Sequence, residues 1–406
     1  MLVVIGASAV KIPLYVTPEK AEKQGLAARV MRRLENLSNT LSGKLAQRGM
    51  PAAMLGFRYR RRIEPDEAAS HMRVIHEPTR HRARFCGGMA NIDALPADRG
   101  WWGFSFRDVL DRKTAPTKIV TLRDAKVLAA LAMPGKAYSP AVLDASGNSV
   151  ELREIRYRPF HASIARQEPD LHLDDALWVA ERVFDNYSHW FSAHLPKLVM
   201  LRDTGELSNL VLPAKRPAWV DASLRRIGIG PGDFAELPTP GVLHARRLRI
   251  VESDRFRPEL LSAARAALAG NEPRGERRIF ISRRDAKGRA LLEEAEIEPL
   301  LVAKGFELVA MERLTLDEQI ALMTSARILF APHGAGLTNM LFCPPGTQIW
   351  EIADPAYPNP NFFAMAAALG HEYHYIKGLG VGDRHPLRQD LSVRVEDVRA
   401  MLDKLA

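Results

Sequence analysis

Residues 327–354 read RILFAPHGAGLTNMLFCPPGTQIWEIAD, and their pattern decides the fold. RILFA at 327–331 is a short apolar run of strand type. Small residues follow as far as Gly336, then a short helical segment that has to stop before Pro344, Pro345 and Gly346, and TQIWEIAD supplies a second strand. A strand, a glycine turn, a helix and another strand make the repeating unit of a parallel sheet.

The alternation continues on both sides. Upstream, RRIFIS at 277–282 predicts a strand, LLEEAEIEPLLVAK a helix stopped by Gly305, and FELVA another strand. Thr315 with Glu318 three residues later forms a capping-box signature ahead of the helix LDEQIALMTSA. Downstream come a helix ending at Gly370, the strand EYHYIK and a last helix from about Val395 to Leu405. The region after Pro258 is therefore expected to be a doubly wound parallel sheet, with ligands beyond the carboxyl ends of its strands.

Before that region the pattern is looser. AVLDASGNSVELREI at 141–155 predicts a hairpin turning at Asp144–Asn148; strands are expected at 177–180, 210–212 and 248–251, and helices at 188–201 and 217–226. From 17 to 49 the residues Leu26, Val30, Leu34, Leu37, Leu41 and Leu45 form an apolar stripe opposite Arg32, Arg33, Lys44 and Arg48. A basic amphipathic helix of this kind either packs on its own protein or lies at an anionic membrane surface. Residues 51–124, with Arg58, Arg60, Arg61 and Arg62, carry no assignable pattern. The expected division is an N-terminal elaboration over 1–124, an α/β domain over 125–257 and a Rossmann-like α/β domain over 258–406.

Fifty-seven basic against forty-eight acidic side chains give a net charge of +9, which favours anionic ligands. Cys86 and Cys343 stand far apart in no metal-ligand spacing, so a disulfide framework and a structural zinc site are not expected. The apolar start MLVVIGASAV lacks a positive leader, and no run reaches the roughly 18 apolar residues of a membrane span, so the expectation is a cytoplasmic protein.

Three strand ends carry the candidate chemistry. His333, Gly334, Ala335, Gly336, Leu337, Thr338 and Asn339 place small residues and first-turn helix amides where an anion could sit. Ser282, Arg283, Arg284 and, after the turn DAKG, Arg289 offer guanidinium forks for phosphate. Glu351, near the end of TQIWEIAD, offers an acceptor for ribose hydroxyls. Each has an ordinary alternative: a tight turn with a satisfied histidine, surface arginines, a surface glutamate.

IFISRRDAKGR followed by LTLDEQIALMTSARILFAPHGAGLTNMLFCPPGTQIWEI resembles glycosyltransferase family 61, which includes bacterial capsule-type, plant xylan and animal O-glycan enzymes. FDNYSHWFSAHLPKL at 184–198 looks like the helix of that family's first domain. The resemblance implies a GT-B-like α/β fold, two Rossmann-like domains facing a cleft, here with an N-terminal elaboration. It implies an inverting transferase that moves a sugar from a nucleotide sugar, a UDP-sugar being favoured, to a glycan or lipid-linked acceptor in polysaccharide biosynthesis. Arg283, Arg289 and the HGAGLTN loop would hold the diphosphate, Glu351 would lie near the ribose, and Asn186 and His189 would face the cleft from the other side. Family members often have an acidic residue where this chain has Ala193, and an asparagine where it has Glu293.

A general base is still required, and imidazole titrates near working pH, which nominates His189 with His194 in reserve. No D-x-D triplet occurs, so turnover is expected without a metal and without a cofactor. His371 and His374 lack the HExxH spacing and are expected to be structural. The alternatives are a nucleotide-sugar-binding protein without catalysis and, through the arginine-rich first part, a nucleic-acid binder, although no nucleic-acid partner is expected. The absence of GxGxxG, a P-loop and GxSxG argues against a dehydrogenase, an NTPase and an α/β-hydrolase.

Overall fold

The computed structural model describes residues 60–87, 94–99, 102–132, 137–270, 275–284 and 289–405. The amphipathic stripe at 17–49 and Arg58 lie outside the described residues. Two sheets organise the chain.

The second sheet has the order Phe306–Val309, Arg277–Ile281, Ala326–Pro332, Gln348–Ala353, Glu372–Val381, Asp390–Val393. The first five strands are parallel, as the continuous apolar runs require when both faces are covered, and Asp390–Val393 closes the edge antiparallel. The chain leaves Arg277–Ile281 toward one edge and returns to Ala326–Pro332 on its other side. Successive connections therefore diverge between these two strands and open a crevice at their carboxyl ends. The capping box is present: Thr315 Oγ1 accepts from the Glu318 amide at 3.3 Å, and Glu318 accepts from the Thr315 amide at 2.8 Å.

The first sheet is mixed, which differs from a second Rossmann-like domain. Gly241–Glu252, Leu171–Trp178, Leu210–Pro213 and Phe234–Leu237 run parallel. Beside them Thr117–Ala132, 16 residues long, pairs antiparallel with Gly241–Glu252, Ala137–Leu143 and His71–His76. That long strand runs through residue 124. The Asp144–Asn148 hairpin turn forms as read, with the Asn148 amide 2.7 Å from Asp144 Oδ1. One apolar core, including Leu198 and Leu201 under the first sheet and Leu261, Met323 and Leu341 under the second, binds the two halves. No helix among the described residues is long and apolar enough to cross a membrane.

Candidate functional site

The crevice at the divergence point is a cavity of about 740 Å³. Ile281, Ser282 and Arg283 contribute from one strand end, and Ala335, Gly336 and Asn339 from the glycine loop. A third wall is the segment after Phe306–Val309, with Met311, Glu312 and Gln319, and Tyr187 and Trp219 reach in from the first half of the chain.

Two glycines make this convergence possible. A Cβ on residue 334 would lie 2.3 Å from Arg283 Nη1, and one on residue 336 would lie 3.1 Å from Ile281 Cγ2. The guanidinium lies over residue 334 in the space a side chain there would take, so any larger residue would displace the tip of Arg283. Leu337 faces the core, whereas the amides of Ala335 and Gly336 belong to the first turn of the helix Ala335–Phe342, whose initial donors lack intrahelical acceptors. Thr338 is buried with its Oγ1 unpaired, and Asn339 Nδ2 donates to the Gly336 carbonyl at 3.0 Å.

Arg283 is held from below. Buried Glu294 accepts from Ser282 Oγ and, at 3.1 Å, from the Arg283 amide, while Arg283 Nε donates to the Arg289 carbonyl at 2.7 Å. Burial lowers the pKa of Arg283. Burial first, and then the charge of Arg283, bring Arg289 down to about 10. Glu312, Glu294 and Asp390 offset part of the burial effect at Arg283, so the two guanidinium groups stand half-buried beside carboxylates of the strand ends. Arg284 turns away to the surface, where it pairs with Glu298 at 2.7 Å. Glu293, at the position where asparagine is common, accepts from Ser392 Oγ at 2.6 Å and the Val393 amide at 2.8 Å, and so fastens the edge strand.

His333 and Glu351 form a network behind the loop. Glu351 is fully enclosed; one oxygen meets His333 Nδ1 and the other accepts from the Tyr373 hydroxyl at 2.6 Å. His333 Nε2 lies 3.1 Å from Asn359 Nδ2 and accepts from it, which leaves Nδ1 as the donor to Glu351. Glu351 therefore orients His333 in this conformation and presents no surface to a ribose. Two exposed carboxylates do line the cavity, Glu312 after the neighbouring strand and Asp317, which is paired with Arg226 at 2.6 Å.

The 184–198 segment folds as Tyr187–His189, a π-helical turn Trp190–His194, and Leu195–Asp203. Such turns are frequent at functional sites. The Tyr187 hydroxyl lies 2.9 Å from Gln319 Oε1 and 2.8 Å from Asn339 Oδ1, and with one proton it donates to one of them at a time. Asn186 is the helix N-cap and accepts from the His189 amide at 3.2 Å. His194 is fully buried: Nδ1 donates to the His189 carbonyl at 2.9 Å, Nε2 accepts from the Glu181 amide at 3.0 Å, and burial lowers its pKa to about 4. With both nitrogens committed, it is a scaffold for the π-turn. His189 is partly exposed, and burial followed by the charge of Arg255 holds its pKa well below the ordinary value.

The remaining sequence candidates lie elsewhere. Arg60 sits over Tyr157 at 5.8 Å and Arg61 is 4.0 Å from Glu67. Buried His371 bonds the Met340 carbonyl at 2.9 Å. Cys86, Glu372 and His374 bring their ligand atoms within 4.8 Å of one another, at the amino end of the Glu372–Val381 strand and therefore on the opposite edge of the sheet from the cavity. Sequence reasoning missed Trp219 and Glu312, which only the tertiary fold brings to the loop.

The chain is thus a two-sheet α/β protein in which a glycine loop and Arg283 meet at a strand divergence, the place where open α/β sheets take their ligands. Residues 187–350 match the family model described as Glycosyltransferase 61, the family the motif resembles. A beta-1,2-xylosyltransferase of Arabidopsis thaliana is 31% identical over 64 residues, 16% of this chain and 12% of that protein. An EGF domain-specific O-linked N-acetylglucosamine transferase of Drosophila melanogaster is 34% identical over 82 residues, 20% of this chain and 16% of its own. Beta-1,2-xylosyltransferase RCN11 of Oryza sativa subsp. japonica is 32% identical over 63 residues, 16% and 12% of the two chains. The matched stretches thus span under a fifth of each of these relatives. Family model and relatives alike support a glycosyltransferase.

Proposed function

We propose that the protein is a glycosyltransferase that binds a nucleotide sugar in the cavity at the strand divergence. The diphosphate lies against Arg283, Arg289 and the amides of Ala335 and Gly336; the nucleoside extends between Trp219 and the 311–319 segment, where Glu312 accepts from ribose hydroxyls. The observation that carries this reading is the seating of the Arg283 guanidinium directly on Gly334, which fixes a cation and a helix start at one point.

Transfer requires charge stabilisation on the departing diphosphate and removal of the acceptor proton. The two arginines and the loop amides supply the first. His189 supplies the second: its depressed pKa keeps the imidazole unprotonated at neutral pH. An in-line displacement without metal, hence inversion, follows from this division of labour. The acceptor is a glycan or lipid-linked saccharide of polysaccharide biosynthesis, with UDP-sugars as favoured donors and the cytoplasm, including the inner membrane face, as the setting.

The test is a thermal-shift panel of UDP, GDP, CMP and TDP and their sugars. A ligand at ~100 times its dissociation constant stabilises by ~2.7 kcal/mol. Stabilisation by one nucleotide family that disappears in Arg283→Gln is expected. If no nucleotide shifts the midpoint, or Arg283→Gln responds like the parent, the reading fails.

A further inference from the structure

A second cavity, of about 550 Å³, opens in the first half of the chain and is lined by Arg112, Arg153, Trp102 and Asp254 among others. Behind it stands Arg255, only 8% exposed. Each of the three arginines has a buried N–H nitrogen without a hydrogen-bond acceptor: Arg112 Nη1, Arg153 Nη1 and Arg255 Nε. The bonds they do make go to neutral oxygens, Arg112 Nη2 to the Arg255 carbonyl at 3.1 Å and Arg255 Nη2 to Ser192 Oγ at 2.7 Å. The four carboxylates that line the cavity are engaged by other groups: Asp108 by Arg99, Asp111 by Arg80, Asp254 by the Ala115 amide at 2.7 Å, and Glu252 by Lys118 at 3.5 Å. Burial and then Arg153 push Arg255 down to about 9.

Three guanidinium groups gathered with donors unspent and no hydrogen-bonded carboxylate, their charge offset only through space by Asp254, Glu154 and Glu181, would gain hydrogen bonds and direct charge pairing from a multiply charged anion. We propose that this cavity binds the phosphate or diphosphate group of the acceptor substrate. The inference rests on the transferase reading for the word acceptor, but not for the anion. The placement fits: Ser192, which holds Arg255, lies on the same helical segment as His189, and Arg255 and Arg153 both act electrostatically on His189. At the rim Trp102 packs edge-on to Tyr357, ring centroids 6.1 Å apart, and Tyr357 in turn lies within electrostatic reach of Arg289. An anion held by the three arginines would therefore present the rest of its molecule to the candidate base, beside the diphosphate seat.

The experiment uses the full chain carrying Arg283→Gln, so that the proposed donor seat does not compete, and titrates inorganic pyrophosphate by calorimetry. Retained binding that weakens tenfold or more on adding Arg153→Gln, and likewise Arg112→Gln, is expected. Arg153→Gln removes a like charge, so its melting temperature in the apo protein should equal or exceed that of the parent; a lower one would mark Arg153 as a packing residue and overturn the proposal. Absence of pyrophosphate binding, or binding indifferent to both arginine substitutions, would also overturn it. Tighter binding of farnesyl diphosphate than of pyrophosphate would identify a lipid-linked source, and equal binding a sugar phosphate. Nucleotide binding by the Arg153→Gln protein with Arg283 intact is measured in parallel; its loss or retention concerns the donor reading alone.

Discussion

The Tyr187 hydroxyl and Asn339 Oδ1 stand 2.8 Å apart, so the π-turn segment of the first half is fastened to the glycine loop of the second. The bond crosses 152 residues of sequence and lies at the wall of the cavity proposed for the donor. Tyr187→Phe keeps the ring packed on Trp219 and removes only the hydroxyl. A loss of about 1 kcal/mol in stability is expected, together with a several-fold rise in KM for the donor. Urea unfolding and steady-state kinetics check both; an unchanged KM would show that the link does not shape the cavity.

Gly334→Ala separates space from backbone strain. Residue 334 has φ 173°, extended backbone that alanine adopts freely, so the cost falls on Arg283, whose Nη1 would lie 2.3 Å from the new Cβ. Displacing one charge-assisted contact to the diphosphate should weaken nucleotide binding by about tenfold or more, roughly 1.5–3 kcal/mol. The melting temperature should move much less than for a core substitution. Calorimetric titration of the nucleotide that responds in the panel measures this, and parent-like affinity would place the diphosphate elsewhere.

Acid should destabilise the protein through its buried imidazoles. His161, His194 and His371 are each lowered to about 4 by burial. In the unfolded chain they take up protons near pH 6.5, while the folded state excludes them until about pH 4. Between these values the unfolded state binds more protons, so stability falls as pH falls through this window. Each group costs on the order of 1–2 kcal/mol by pH 5. Urea midpoints should be flat above pH 7 and decline steadily from 6.5 toward 4.5; a flat profile over that range would contradict the assignment of these rings as neutral and buried.

The second sheet was legible because its strands are buried on both faces and write themselves as unbroken apolar runs, each closed by a turn signal. The first sheet was not. His71–His76 is largely exposed and shows no alternation, and Thr117–Ala132 contains the alanine- and leucine-rich stretch AKVLAALA, helix-like by composition, which pairing on both sides holds extended. At the site, the loop and Arg283 were readable as local motifs. The enclosure of Glu351 by His333 and Tyr373 was not readable, because the rule of an acidic strand end takes no account of tertiary neighbours. Arg112, Arg153 and Arg255 come from separate turns and strands, so no spacing in the sequence announces their cluster.

Trp219 and Glu312 give the sharpest division of the donor cavity into parts. Trp219 stands on the Ala218–Arg226 helix of the first half and is braced by Tyr187 at 5.4 Å and Phe191 at 6.0 Å, so its ring is a fixed wall. Glu312 follows the Phe306–Val309 strand and lines the same cavity, close enough to raise the pKa of Arg283 against the larger effect of burial. An aromatic wall acts on a base through stacking, about 1–3 kcal/mol, and does nothing for an isolated diphosphate. Trp219→Ala should therefore weaken nucleotide binding by about tenfold while leaving pyrophosphate affinity at the Arg283 seat unchanged. Glu312→Gln should discriminate between ribose and deoxyribose less well than the parent, because a carboxylate accepts from a hydroxyl more strongly than an amide does. Calorimetry of both variants against the nucleotide, its deoxy form and pyrophosphate reads these separately. Equal losses for nucleotide and pyrophosphate in Trp219→Ala would mean that the indole holds the cavity open and touches no base.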